Sequence, residues 1–221
     1  MPGWVSHVAP YALYAAIPFA GELLPEALRP WLDPLRAVVV AAALLLYWRR
    51  GAYPELRRRN AARPGAPLLA LGAGVLVAVL WVPLALLVPP FLGERGGFDD
   101  AAAGEAAAPA LLAGRLLAFV VVVPLAEELF VRDFLPRILD AGPEEDWRGR
   151  PVGAFTPLSA GVSVAFFTLT HPEWLAALFT GALWTVLLTR TRRLTDAVVA
   201  HAVANAGLAA YVLLSGDTRW W

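Results

Sequence analysis

Ionisable residues lie in the middle of an otherwise apolar segment of this 221-residue chain. Glu127 and Glu128 follow a stretch, residues 116–125, that has no polar side chain, and Arg132 comes four residues after Glu128. Charged groups at membrane depth cost on the order of several kcal/mol unless the protein uses them. A carboxylate in such a place can hold and deprotonate a water molecule. The glutamate pair is therefore the first candidate for function.

Two of the three histidines, His171 and His201, also lie in apolar surroundings. Asn205 follows His201 at a spacing of four, which places both on one face of a helix. An imidazole can share the water with a carboxylate, and an imidazole with a neutral amide can donate hydrogen bonds to a developing oxyanion. Together these are the parts of a peptide hydrolase. We interpret the third histidine, His7, as an interfacial residue without a role.

Helix geometry predicts how deep these residues lie. With Arg115 at the outer boundary, Glu127 lies about 18 Å below it, near the middle of a hydrocarbon core about 30 Å thick. His201 and Asn205 lie about 9 to 15 Å from the cytoplasmic boundary, which is a matching depth. His171, counted from the start of its own helix, comes out one or two turns too far outward.

Composition predicts a helical membrane protein. Hydrophobic residues make up 59% of the chain and the mean hydropathy is +0.60, which is too apolar for an ordinary soluble domain. We predict an all-α polytopic bundle of about seven or eight transmembrane helices, in a single integral membrane domain over residues 1–221. The candidate spans are 8–24, 34–48, 66–90, 112–135, 156–170, 173–189 and 195–214.

Loop charges predict the orientation of the bundle. Arginines between the second and third spans mark a cytoplasmic loop, at Arg49, Arg50, Arg57, Arg58, Arg59 and Arg63. The next loop is expected on the outside because it carries Glu94, Asp99, Asp100 and Glu105. The N-terminus is then cytoplasmic. All cations are arginine rather than lysine, which we interpret as the coding bias of a bacterium, and we expect the protein in the inner, or plasma, membrane.

Charge and cysteine usage exclude several functions. The formal net charge is zero and no long run of one sign occurs, so no nucleic-acid partner is expected. The absence of cysteine excludes disulfides, thiolate metal sites and a cysteine nucleophile.

The later helices carry three short motifs in order: Glu127-Glu128-x-x-x-Arg132, Phe167-x-x-x-His171 and His201-x-x-x-Asn205. In this order they resemble the motifs of the CAAX prenyl protease and bacteriocin-processing family, also called CPBP or Abi, whose members are intramembrane endopeptidases. The resemblance covers about residues 112–214, which we expect to be the catalytic core. The sequence His171-Pro172-Glu173-Trp174 and the aromatic C-terminus are also similar to the subgroup linked to bacterial exosortase protein-sorting systems.

The resemblance implies a role for each motif residue. Glu127 and His171 would activate the water, while His201 and Asn205 would form the oxyanion site. The remaining motif residues, Glu128, Arg132 and Phe167, would be supporting, with Arg132 pairing Glu128 so that Glu127 faces the cavity. The implied substrate is a membrane-associated or lipid-modified peptide or protein within the bilayer.

Other interpretations of the same residues stay open. Glu127, His171 and His201 could form a two-histidine, one-carboxylate zinc site, although we expect neither metal nor other cofactor because an amide such as Asn205 is a poor zinc ligand. A transporter would also bury Glu and His in helices, but no internal repeat is evident. A non-enzymatic immunity or scaffold protein is a third alternative. For the motif residues, the structural alternatives are a buried ion pair, a helix cap, an interhelical hydrogen bond and simple packing.

Overall fold

The computed structural model describes residues 3–57, 65–91 and 103–220, without the side chains of residues 20–22. The described residues form helices and turns, and no strand occurs among them. Eight helices organise this part of the chain: α1 Val5–Ala16, α2 Leu32–Arg49, α3 Pro54–Arg57, α4 Ala66–Leu86, α5 Glu105–Asp140, α6 Pro157–Leu169, α7 Trp174–Thr191 and α8 Leu194–Ser215. The all-α prediction is confirmed.

Five of the helices are long and apolar enough to cross a membrane: α2 with the turn before it (Glu26–Arg49), α4, α5, α7 and α8. Each of the seven predicted spans contains a helix, but α1 has 12 residues and α6 has 13. Thr156 begins α6 with a capping box and Pro157 at its first position, and the helix ends just before His171-Pro172. The described residues thus provide five helices long and apolar enough to span a membrane, with α1 and α6 as two shorter helices.

Large apolar side chains cover the outside of the bundle. Leu68 is 73% exposed, Val79 64% and Leu158 67%. Such a surface would be unfavourable in water and is the kind that a lipid bilayer contacts.

Helices α4 and α8 cross closely, and two glycines allow it. A Cβ on Gly74 would lie 2.5 Å from the Ala200 carbonyl oxygen, and one on Gly207 would lie 2.5 Å from Ala78 Cβ. Small residues let membrane helices approach this closely. His201 and Asn205 lie between these two contacts, so the crossing fixes their position.

Contacts at one end of the bundle bring the N-terminus to two later segments. Arg148 donates to the Gly3 carbonyl at 2.8 Å, and the Tyr53 hydroxyl donates to the Ser6 carbonyl at 2.7 Å. The N-terminus therefore shares this end with the segment before α3 and with the connector between α5 and α6. The acidic loop that was predicted to lie outside falls largely beyond the described residues.

Candidate active site

The structure brings the four predicted catalytic residues to one cavity of about 370 Å³. Its walls come from α1, from α4 to α8, from the break between α6 and α7 and from the turn after α8. Glu127, His171, His201 and Asn205 are among the lining residues. The sequence therefore predicted which residues meet. Their chemical roles remain predictions that rest on the geometry below.

Helix α5 is unusual where it passes the cavity, because two of its stretches are π-helical. They are Leu117–Val122 and Glu128–Phe134, and Glu127 stands between them. π-Helical turns are rare and occur often at functional sites, because they change which side chains face a given direction. They could not be predicted from the apolar pattern of this segment.

The second glutamate is turned away from the cavity and held by Arg132. The Arg132 Nε atom lies 3.7 Å from Glu128 Oε2, and both side chains are fully buried. Arg132 also donates to Ser163 Oγ at 3.1 Å and to the Gly181 carbonyl at 3.4 Å. The spacing of four predicted this pair correctly. The buried Arg132 guanidinium thus has a carboxylate and two further acceptors around it.

His201 links this ion pair to the cavity. Its Nδ1 lies 3.0 Å from Glu128 Oε1, and an ionised carboxylate only accepts hydrogen bonds, so Nδ1 carries a hydrogen. The other ring nitrogen, Nε2, lies 4.0 Å from Glu127 Oε2. When the ring is protonated, Nε2 becomes a donor aimed at the cavity, and Glu128 stabilises that charge.

His171 lies in the break between α6 and α7. Its Nδ1 is 2.7 Å from the Phe167 carbonyl oxygen, which accepts, so Nδ1 carries the hydrogen and Nε2 has a free lone pair. The Phe167 ring also packs 4.4 Å from the His171 ring and 4.9 Å from the Arg132 guanidinium. Phe167 therefore contacts the site through both its carbonyl and its ring.

The mismatch in depth predicted between His171 and Glu127 does not keep them apart, because both line the same cavity. Ser159 near the start of α6 donates to Asp140 at the end of α5, at 2.6 Å. Glu127 lies 13 residues before Asp140, and His171 lies 12 residues after Ser159. At about 1.5 Å per residue, both come out about 18 to 20 Å from this shared anchor. The two side chains are level.

Asn205 is fixed by the backbone of α5. Its Nδ2 donates to the Phe119 carbonyl at 2.7 Å. In the π-helical register, Val123 donates to the Ala118 carbonyl, and the next donor would be Pro124, which has no N–H. Asn205 therefore donates to the Phe119 carbonyl in the place where Pro124 cannot donate. One amide hydrogen remains for the cavity.

Glu127 has a buried oxygen without a partner. The residue is only 5% exposed, and Oε2 accepts no hydrogen bond from any described residue. An unsatisfied carboxylate oxygen is costly, which makes it a strong acceptor for a water molecule or a substrate group in the cavity.

The zinc alternative requires ligand atoms that converge. Among the described residues, Glu127, His171 and His201 do not bring one ligand atom each within 4.8 Å of one another. Both histidines also use Nδ1 for other partners, so each could offer only Nε2. In the arrangement shown, these three residues do not form a convergent set of ligand atoms.

A second cluster was missed, and the interpretation of His7 as an interfacial residue was wrong. His7 is fully buried, with Nε2 at 2.9 Å from Glu55 Oε1 and 3.4 Å from Asp133 Oδ2. These ligand atoms do lie within 4.8 Å of one another. Asp133 and Arg137 repeat the spacing of Glu128 and Arg132, which was the one signal in the sequence that could have revealed the cluster.

The fold and the site define a class: an α-helical membrane protein with carboxylates and imidazoles buried at a cavity within its bundle. Residues 109–207 match the family model described as Rce1-like, type II CAAX prenyl endopeptidase Rce1-like. This part of the chain, which contains all three motifs, is similar to that family, and the predicted resemblance is confirmed over these residues. The helices long and apolar enough to cross a bilayer make the chain an integral membrane protein. Comparisons with curated proteins and with solved structures gave no match.

Proposed function

We propose that the protein is an intramembrane endopeptidase that hydrolyses a peptide bond in a membrane-associated or lipid-modified substrate. The observation that carries this proposal is the unpartnered, buried Oε2 of Glu127 at a cavity shared with His171 and His201. The Nε2 atom of His201 lies 4.0 Å away, which is beyond hydrogen-bond distance. This Glu127 oxygen is therefore left to receive something from the cavity.

In the proposed reaction, a water molecule donates to Glu127 and is also held by the lone pair of His171 Nε2. Glu127 takes a proton from the water, and the resulting hydroxide attacks the scissile carbonyl carbon. The carbonyl oxygen becomes an oxyanion, which accepts hydrogen bonds from protonated His201 and from the remaining amide hydrogen of Asn205. Glu127 then passes its proton to the leaving amine as the carbon–nitrogen bond breaks.

Glu128 and Arg132 support this reaction by positioning His201. Glu128 fixes the ring of His201 through Nδ1, and Arg132 neutralises Glu128 and ties α5 to α6 and α7. These contacts keep His201 in the orientation that an oxyanion donor needs. They leave Glu127 as the carboxylate that faces the cavity.

We propose a reaction without metal. Asn205 suits an oxyanion donor and is a poor zinc ligand, and the ligand atoms of the three ionisable residues do not converge. Strong chelators should then leave activity intact. Loss of activity with chelator and its recovery with added zinc would favour a metalloprotease instead.

We also propose the orientation predicted from charge, in the inner membrane of a bacterium. The N-terminus contacts Arg148 and shares its end of the bundle with Tyr53, next to the arginine-rich loop. A reporter before Trp4 should therefore be cytoplasmic, and one inserted after Pro89 should be external. Finding both on one side would contradict this orientation.

The experiment that tests the proposed function compares peptide termini in the membrane proteome of cells that contain the wild-type protein, the Glu127→Gln variant or neither. New termini should appear with the wild-type protein and be absent in the other two samples. Membranes treated with chelator should still produce them. Identical termini in all samples, with the proteins present at equal levels, would contradict an endopeptidase.

A further inference from the structure

Two more polar side chains in the cavity wall have no partner. Thr180 and Trp184 both line the cavity from α7, and they are 2% and 0% exposed. Neither Thr180 Oγ1 nor Trp184 Nε1 makes a hydrogen bond within the described part of the chain. Their spacing of four places them on the same face of the helix.

Neighbouring threonines show that this is not the general state of the helix. Thr185 Oγ1 donates to the Gly181 carbonyl at 2.8 Å, and Thr189 Oγ1 donates to the Thr185 carbonyl at 2.8 Å. A threonine in a helix ordinarily satisfies its hydroxyl in this way, through the carbonyl four residues earlier. The Thr180 hydroxyl makes no such hydrogen bond, although a backbone carbonyl also lies four residues before it in the helix. Polar atoms left unsatisfied inside a protein are rare and call for a partner.

The chemistry of the two groups restricts what that partner is. The indole N–H of Trp184 can only donate, so its partner must present an acceptor oxygen. The Trp184 ring lies 6.3 Å from the His201 ring, beside the proposed oxyanion donors. Those donors are partly used already, because His201 gives Nδ1–H to Glu128 and Asn205 gives one hydrogen to Phe119. Additional donors are therefore useful at this wall.

We infer that Trp184 and Thr180 bind the substrate, with the indole N–H and the hydroxyl donating to carbonyl oxygens of the peptide at the scissile bond and next to it. This inference rests on the proposed endopeptidase function. Trp184, which lies beside His201, contacts the peptide nearest the reacting carbonyl, and Thr180 extends the contact along α7. A peptide backbone supplies the acceptor oxygens that both groups lack.

Removing these donors should separate activity from stability. Trp184→Phe keeps an aromatic ring and Thr180→Val keeps the shape, but each deletes a buried polar group that has no partner in the protein. The melting temperature of Thr180→Val should therefore stay the same or rise, whereas Trp184→Phe also leaves a small cavity and should melt slightly lower. Cleavage should slow by about tenfold to a hundredfold in Trp184→Phe, and by about tenfold in Thr180→Val. Thr185→Val is the matched control, because its hydroxyl is bonded within the helix and should affect melting more than cleavage.

The measurement is the rate at which wild-type-dependent termini appear after induction in cells that express each variant at equal level, with Glu127→Gln as the inactive reference. Purified variants in detergent give the melting temperatures. Slow cleavage with unchanged melting in Thr180→Val, and with a fall in melting temperature too small to account for it in Trp184→Phe, supports the inference. Rates within twofold of wild type in both variants, or losses that follow a fall in melting temperature, would overturn it. If the wild-type protein itself produced no new termini, the proposed function would fail instead, and this inference with it.

Discussion

Two buried clusters on helix α5 contain the same kinds of residue and differ in what they leave unsatisfied. Each has a carboxylate four residues before an arginine, a second carboxylate and a histidine from another helix. The cavity cluster consists of Glu127, Glu128, Arg132 and His201, and the end cluster consists of Glu55, Asp133, Arg137 and His7.

The end cluster is saturated with hydrogen bonds. Arg137 Nη1 donates to both oxygens of Asp133 at 2.6 and 2.7 Å, and Nε and Nη2 donate to the carbonyls of Arg150 and Arg148. Of the described buried side-chain atoms without a partner, none belongs to this cluster. In the cavity cluster, three buried atoms have no hydrogen-bond partner: Glu127 Oε2, Glu128 Oε2 and Arg132 Nε. Residue type does not distinguish a chemical site from a structural one. Buried polar atoms that lack a hydrogen-bond partner beside a cavity do.

The hydrogen bonds of Ser6 explain why the end cluster holds a proton. Ser6 Oγ donates to the Gly3 carbonyl, so it accepts from His7 Nδ1, and Nε2 then faces the carboxylates of Glu55 and Asp133. A second hydrogen on Nε2 makes the ring an imidazolium. Two carboxylates, one guanidinium and one imidazolium then sum to zero charge, which favours burial. We interpret this cluster as a clamp between α1, α3 and α5.

The largest expected effect comes from Glu128→Gln. Arg132 is fully buried, and removing its carboxylate leaves a cation without a counter-charge, which should lower the free energy of unfolding by about 3 kcal/mol. Asp133→Asn is the matched variant in the end cluster and should also cost stability while the folded fraction keeps its activity. Denaturation of both proteins in detergent measures this. A Glu128→Gln protein with normal melting and no activity would mean that the roles of the two glutamates are reversed.

The smallest effect is a dependence of stability on pH. Burial by itself lowers the pKa of His7, but the hydrogen bonds and charges of Asp133 and Glu55 together outweigh it and raise the pKa above 6.5. A group whose pKa is higher in the folded than in the unfolded protein contributes its full stabilisation at pH values below the unfolded pKa. That contribution is lost as the pH rises through the folded pKa. The free energy of unfolding should therefore fall as pH increases from about 6.5.

His7→Gln serves as the control for that pH dependence, because it removes the titrating ring. The difference in unfolding free energy between wild type and His7→Gln should shrink as the pH rises. A difference that stays constant or grows with pH would show that His7 is neutral in the folded protein. Stabilisation of the wild type by a divalent metal, absent in His7→Gln, would show that the cluster binds metal rather than a proton.

The parts that sequence predicted are local. The Glu128 and Arg132 pair and the shared face of His201 and Asn205 follow from a spacing of four on one helix. Composition likewise predicted an all-α bundle. These inferences need only the geometry of a single helix.

The parts that sequence missed depend on contacts between distant segments. His7 meets Glu55 and Asp133 only because α1 packs against α5, and no short-range pattern marks that contact. The level of His171 depends on the hydrogen bond between Ser159 and Asp140. Trp184, on α7, reads as ordinary packing until the helices around it are placed.

The central claim is that the unpartnered oxygen of Glu127 performs the chemistry, and a single substitution tests it. Glu127→Gln keeps the shape of the side chain but cannot accept a proton from water at neutral pH. We expect the purified variant to melt close to the wild-type temperature, because Oε2 makes no hydrogen bond within the described residues and lies 4.0 Å from His201 Nε2, while cleavage of the substrate identified from membrane termini is abolished. Cleavage at a rate comparable to wild type would contradict the claim, as would inactivity that is accounted for by a lower melting temperature.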